Sequence, residues 1–227
     1  MSFELIFLFL AGFFGGVVNS IAGGGSFITF PALIFVGIPP IMANATNTFA
    51  SCAGYMSGTY AFRKELAAHK DELLLIIVIS LLGGVFGAQL NAGFKKIATK
   101  HQHASAIGGV LLLILLLGVS IYGGFFNAGL GIIILSYLAL AGHTNINAMN
   151  GLKLLVSAAV SLIAIALFIY NDVIVWYEGT VLLCGTLVGG YMAANISRQL
   201  PQKQVRGGVI VISVATTLYF FFATYLA

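Results

Sequence analysis

Seven apolar runs, at about 3–36, 41–62, 72–92, 106–141, 147–170, 174–196 and 206–226, fill this chain and leave only short polar gaps between them. A helix needs about 20 apolar residues to cross a hydrocarbon core roughly 30 Å thick. Only 7% of the 227 residues are charged, against 60% hydrophobic. A domain that faces water carries roughly 25% charged residues, so the solvent for most of this surface is lipid. The pattern predicts an all-α integral membrane protein of about seven membrane segments. The first run opens with Met1-Ser2-Phe3-Glu4 and no positive stretch, so it reads as part of the mature fold, not as a cleaved signal peptide.

The net charge of +4 does not point to nucleic acid. Its carriers sit in gaps between apolar runs: Arg63, Lys64 and Lys70; Lys95, Lys96 and Lys100; Arg198, Lys203 and Arg206. That placement is the juxtamembrane pattern that orients a protein in a bacterial-type inner membrane, and it offers no basic face long enough to follow a phosphate backbone. By the same rule the gaps at 93–105 and 197–206 belong in the cytoplasm, and 171–178, with Asp172 and Glu178, belongs outside. Cys52 and Cys184 fall inside apolar segments and read as small buried hydrophobes. The four histidines (His69, His101, His103, His143) fall in loops, and no metal-ligand spacing emerges.

Two of the runs, 3–36 and 106–141, are too long for one ordinary span. Each is interrupted by glycine, at Ala22-Gly23-Gly24-Gly25-Ser26 and at Asn127-Ala128-Gly129-Leu130-Gly131. Gly weakens helix and admits positive φ, so both predict a break. The two runs also align with each other. Gly25 falls opposite Gly129 and Leu33 opposite Tyr137; after one inserted residue, Gly37 meets Gly142, Ala43 meets Ala148 and Thr48 meets Lys153. This order of features predicts an internal duplication: a first membrane repeat at 1–92, a basic polar loop at 93–105, a second repeat at 106–196 and a final helix at 206–226, each repeat opening with a Gly-broken helix. Pro39-Pro40 starts the helix after the first break, and Thr144 or Asn145 caps the equivalent helix in the second copy. Whether each broken run crosses once or folds back stays open at this level; folding back would let the two basic loops share a side.

A broken helix in a membrane exposes backbone N–H and C=O groups that only protein or a watery cavity can satisfy. A half-helix starting near Gly23, Gly24, Gly25 and Ser26 aims its amides and positive dipole end at the break, which is an anion site in outline. Gly129 and Gly131 offer the second half-site. The plainer reading is close helix packing through glycine. Lys153 tilts the balance: it sits several residues inside an apolar run with no acid near it in sequence. A Lys at depth costs at least ~2.5 kcal/mol, so it faces a cavity or partner, and an anion would supply the countercharge. Asn150 precedes it, Thr46, Asn47 and Thr48 form the matching patch in the first copy, and Asn19, Ser20 and Asn127 flank the breaks. Their amides and hydroxyls are uncharged donors suited to an oxyanion. No GxSxG, HExxH or P-loop is present, so the chain reads as non-enzymatic, without cofactor or metal.

The stretch Asn19-Ser20-Ile21-Ala22-Gly23-Gly24-Gly25-Ser26, followed by Pro31-Ala32-Leu33, Gly37, Pro39-Pro40 and Ala43-Asn44-Ala45-Thr46-Asn47, resembles the sulfite exporter TauE/SafE family. Tyr122-Gly123-Gly124-Phe125-Phe126-Asn127-Ala128-Gly129-Leu130-Gly131 and Lys153 resemble that family's second repeat more loosely. The resemblance implies a secondary transporter of sulfur-containing anions, with the signature regions lining the substrate path. The polar gap at 93–105 cannot span, which leaves this chain one helix short of the family's usual number. The expectation is therefore a carrier of a small anion, such as sulfite or an organosulfonate, working by alternating access, with lipid around it and a homodimer as the default assembly. A passive anion channel and a non-transporting scaffold subunit are the rival readings.

Overall fold

The computed structural model describes residues 2–69, 73, 75–83, 108–201, 203, 204, 207, 210, 211 and 214. The expected basic loop at 93–105, the end of the 72–92 run and most of the last run lie outside the described residues. Among the described residues all regular structure is helical. In chain order the elements are α1 (Ser2–Ile21), α2 (Ser26–Phe35), α3 (Pro40–Ala61), the short α4 (Arg63–Leu66) and a 3-10 turn (Ala67–His69). Then come α5 (75–83), α6 (Gly108–Phe125), α7 (Leu130–Leu140), α8 (Ile146–Tyr170) and α9 (Trp176–Gln199). Both glycine-rich stretches interrupt helix as expected, between α1 and α2 and between α6 and α7.

Three helices among the described residues are long and apolar enough to cross a membrane: Phe3–Ile21 within α1, α8 and α9. α3 is as long, at 22 residues, yet it buries Asn44, Thr46, Asn47, Thr48, Ser51 and the Tyr55 ring. Its polarity belongs to what it lines, since a buried polar side chain needs a partner that lipid cannot supply.

The two short helices end alike. Gly37 and Gly142 take φ of 89° and 91°, a left-handed backbone that a Cβ would disfavour. Gly37 N–H donates to Ile34 O and Ile38 N–H to Leu33 O; Gly142 N–H donates to Ala139 O and His143 N–H to Leu138 O. Each is a Schellman closure that uses the last carbonyls of the helix. α3 then opens with proline in its first turn, and α8 opens under Asn145, whose side-chain oxygen accepts from Asn147 N at 3.0 Å and Ala148 N at 3.3 Å. Asn145→Ala is expected to lower stability by about 1 kcal/mol and Asn145→Asp to retain most of it, as measured by thermal unfolding in detergent.

Pairwise contacts fix the directions. Gly12 packs on Leu182, Gly16 on Thr186 and Ser20 on Gly190, so α1 and α9 run parallel. A Cβ on Gly12 or Gly16 would strike the facing carbonyl, and the same holds for Gly185 and Gly189 against Phe9 and Phe13. α2 runs back along α1, because the Phe7 and Phe35 rings meet at 5.3 Å and Gly15 faces Thr29. The first broken run therefore folds back. The reversal is made at Gly23, whose φ of 88° is open to glycine. α3 and α8 are antiparallel, with Gly151 against Phe62 and Gly58 against Leu154.

These directions sort the charges by end. His69 and His143 pack ring to ring at 5.3 Å and Arg198 Nε meets Glu65 Oε1 at 2.7 Å, so Arg63, Lys64, Arg198 and Lys203 share one end with Glu65. The other end carries Glu4, Asp172 and Glu178, with no Lys or Arg among the described residues. There the rings of Phe49 and Trp176 pack edge to face at 5.3 Å. Of the two cysteines, Cys52 is buried as expected but Cys184 is exposed on the outside of α9. A face turned to lipid accepts a small thiol as readily as a core does.

Candidate functional site

The two breaks meet. A Cβ on Gly131 would stand 2.5 Å from Gly23 Cα, and one on Gly23 would stand 2.6 Å from Gly131 Cα. No side chain fits there, so only glycine at both positions lets the backbones touch. Gly23 also takes φ of 88° and Gly129 takes 76°. Gly24 abuts Ile132, and Gly129 abuts the Phe27 ring. Gly25 and Gly129 are the residues from which α2 and α7 start.

Around this junction the expected residues take distinct positions. Asn19 Oδ1 accepts from Gly25 N–H at 2.8 Å, bracing the first break from the end of α1. Ser20 Oγ donates to Gly190 O at 2.9 Å, which anchors the break to α9. At about 1.5 Å per residue, Gly190 stands roughly 21 Å from the start of α9 and roughly 14 Å from its end. The junction is thus deep in the bundle. Ser26, buried at the first residue of α2, faces the Tyr55 hydroxyl together with Asn19 and Ser51. Asn47 Oδ1 accepts from Thr29 Oγ1. Asn127, in the second break, accepts from Tyr55 OH at 2.9 Å and donates to Ser161 Oγ at 2.8 Å, bridging α3 to α8.

Lys153 is 1% exposed. Its ammonium donates to Ser20 O at 3.1 Å and to Asn150 Oδ1 at 2.9 Å, both neutral. Ser20 O belongs to the last turn of α1, where unpaired carbonyls and the negative dipole end favour a cation. Lys153 of the second half is therefore fastened to the break of the first.

Two of the expected residues are not brought to the junction. Thr46 Oγ1 accepts from Val175 N–H at 2.9 Å and holds the start of α9 at the acidic end. Thr48 returns its hydroxyl to Asn44 O at 2.9 Å. Conversely, Thr29, Ser51, Tyr55, Ser157 and Ser161 join the polar core without having been singled out in the sequence. Their signal is spacing: Asn47, Ser51 and Tyr55 recur every four residues on α3, and Asn150, Lys153, Ser157 and Ser161 recur at three and four on α8. Polar residues at helical period inside an apolar helix mark one inward face.

The remaining capacity of this core is of both kinds: Asn44 Oδ1, whose Nδ2 donates to Phe125 O, is a buried acceptor without a partner among the described residues, and five further atoms can donate. Asn19 Nδ2, Ser26 Oγ, Asn47 Nδ2, Asn150 Nδ2 and Ser157 Oγ are buried and lack a hydrogen-bond partner among the described residues. Each such group costs about 1–3 kcal/mol. All five can donate; one of them belongs to Asn150, which also accepts from the Lys153 ammonium, and no carboxylate pairs with that ammonium among the described residues. Donors of this kind suit the acceptor oxygens of a small anion. Removing one internal acceptor bond tests how tightly the core is wired. Tyr55→Phe leaves Asn127 Oδ1 without its donor and is expected to lower stability by about 1–3 kcal/mol, measured by thermal unfolding in detergent.

Comparison with known proteins places the chain in a family. The family model for sulfite exporter TauE/SafE matches residues 8–116 and 92–220. A Haemophilus influenzae protein named "Probable membrane transporter protein" is 28% identical, over 94% of this chain and 92% of its own. "Probable membrane transporter protein ORF9" of Sinorhizobium is 26% identical over 96% and 93%, and Escherichia coli "Probable membrane transporter protein YfcA" is 27% identical over 91% and 85%. No solved structure matches the chain. The matched ranges take in both breaks, and the likeness runs nearly end to end: this membrane transporter belongs to the sulfite exporter TauE/SafE family.

Proposed function

We propose that this chain is a secondary transporter of a small anion, a sulfur oxyanion such as sulfite or an organosulfonate, moved across a cell inner membrane by alternating access. Lys153 carries the reading: a fully buried ammonium at the first helix break, held by the neutral Ser20 O and Asn150 Oδ1, in a core that retains unpaired buried donors. A dissolved anion supplies both the missing countercharge and the missing acceptors. The donors favour three or more oxygens on one centre, which a sulfite or sulfonate group provides, and the family name points the same way. The basic end, with Arg63, Lys64, Arg198 and Lys203, is the cytoplasmic one by the positive-inside rule. Binding that draws Lys153 from Ser20 O releases the end of α1 from α8. That is a local change at the junction of the two halves, suited to opening one side while closing the other.

Counterflow in proteoliposomes separates a carrier from a channel. Purified protein is reconstituted with unlabelled sulfite inside and labelled sulfite outside. Transient accumulation of label above equilibrium, saturating with concentration, is the expected result. Flux that neither saturates nor shows counterflow would assign a pore, and no flux of any sulfur oxyanion or sulfonate would remove the transport reading of this site.

A further inference from the structure

The outer surface carries a second binding feature, unrelated to the polar core. Ala53, Met56, Ser57, Leu187, Val188 and Tyr191 line a groove of about 490 Å³ between α3 and α9. Its one hydroxyl from serine is turned inward, with Ser57 Oγ donating to Leu187 O at 3.0 Å and Gly54 O at 3.1 Å, so the trough offers almost pure hydrocarbon. One turn farther along the same face of α3, Tyr60 is exposed, and the Arg63 guanidinium lies 4.3 Å above its ring and donates to Tyr60 O at 2.9 Å. Arg63 is thus fixed to Tyr60, past the α3 residues that line the groove, and Lys64 beside it is exposed. Glu65, the acid next in sequence, is taken by Arg198.

We infer that this groove is a binding site for one anionic phospholipid, with an acyl chain between α3 and α9 and the headgroup phosphate on Arg63. The charge pattern selects this occupant. An apolar trough that runs toward cations without a carboxylate partner among the described residues matches a molecule with a hydrocarbon tail and an anionic head. The tyrosine ring between trough and cation sits at the depth where aromatic side chains mark the interface. A second copy of the chain is the poorer match, because two-fold pairing across the groove would bring two sets of Arg63 and Lys64 to the same membrane face.

The test is native mass spectrometry of the purified protein in detergent, with phosphatidylglycerol and phosphatidylcholine of identical acyl chains. Wild type is expected to retain one phosphatidylglycerol in preference to phosphatidylcholine. Arg63→Ala should reduce that preference about fivefold, whereas Arg63→Lys should keep most of it. Filling the trough with Ala53→Phe should weaken retention of both lipids, and Val188→Trp, on the exposed opposite wall, does the same if the first variant folds poorly. Inorganic phosphate at millimolar concentration should not displace the lipid, since the headgroup alone lacks the tail contact. Equal retention of the two lipids by wild type would overturn the proposal. So would a preference unchanged in Arg63→Ala, or a dimer that Ala53→Phe dissolves while lipid retention stays the same.

Discussion

Lys153→Met is expected to abolish saturable anion transport while leaving a folded protein. The ammonium is the one full positive charge described inside the bundle, and a charge-assisted hydrogen bond to an anion is worth about 1.5–3 kcal/mol. Its loss therefore weakens anion binding by roughly 10- to 150-fold. Stability changes less, because two effects oppose each other. Removing the ammonium relieves a buried charge that has only neutral partners, while Ser20 O and Asn150 Oδ1 each lose a donor. Methionine keeps the length and the apolar stem, so the packing around residue 153 survives. Lys153→Arg is not a rescue, since the larger planar guanidinium has to fit between Ser20 and Asn150 in a space with no exposure. Transport measured in proteoliposomes, with thermal unfolding of the same preparations, checks both halves of this expectation.

Gly131→Ala is the second large effect, and it acts on the junction itself. The new methyl would stand 2.5 Å from Gly23 Cα, and backbone cannot yield as a flexible side chain would. Overpacking of this kind costs about 1–3 kcal/mol, occasionally more. Gly131 lies in α7 with an ordinary helical backbone, so this substitution reports the steric term alone. Gly23→Ala meets the same wall and adds the strain of a Cβ at φ of 88°, a further ~1–2 kcal/mol. The double variant should lose less than the sum of the single losses, because once one methyl has parted the breaks the second meets less resistance. Thermal unfolding of the three variants measures this coupling. Strict additivity would mean that the breaks do not bear on each other.

Much of this was legible in the residues, and the limits have physical causes. Scarcity of charge over long apolar runs announced a helical membrane protein, and glycine composition located both interruptions to within a few residues. Lys153 stood out because a cation inside an apolar run has so few inexpensive explanations. The residues around it were harder to see. Tyr55 and Ser161 look unremarkable alone and acquire meaning only through Asn127, 72 residues from one and 34 from the other. Helical spacing shows which side chains share a face, and it does not show what that face meets. For the same reason Thr46 read as part of the polar patch, although it turns toward Val175 at the acidic end. The direction of α2 was also undetermined, since a glycine break permits a chain to continue or to reverse. The contacts of Phe7 with Phe35 and of Gly15 with Thr29 decide it.

The central claim is that the paired breaks and Lys153 form one anion site. It is tested most directly by the thermal shift of purified protein across sulfite, sulfate, thiosulfate, small sulfonates and carboxylates. A ligand of the folded state raises apparent stability, by about 2.7 kcal/mol at a hundred times its Kd. The account predicts stabilisation of wild type by a sulfur oxyanion or sulfonate, weakened in Ser26→Ala and absent in Lys153→Met when both variants remain folded. Stabilisation that persists unchanged in Lys153→Met, or no response of wild type to any of these anions, would contradict it.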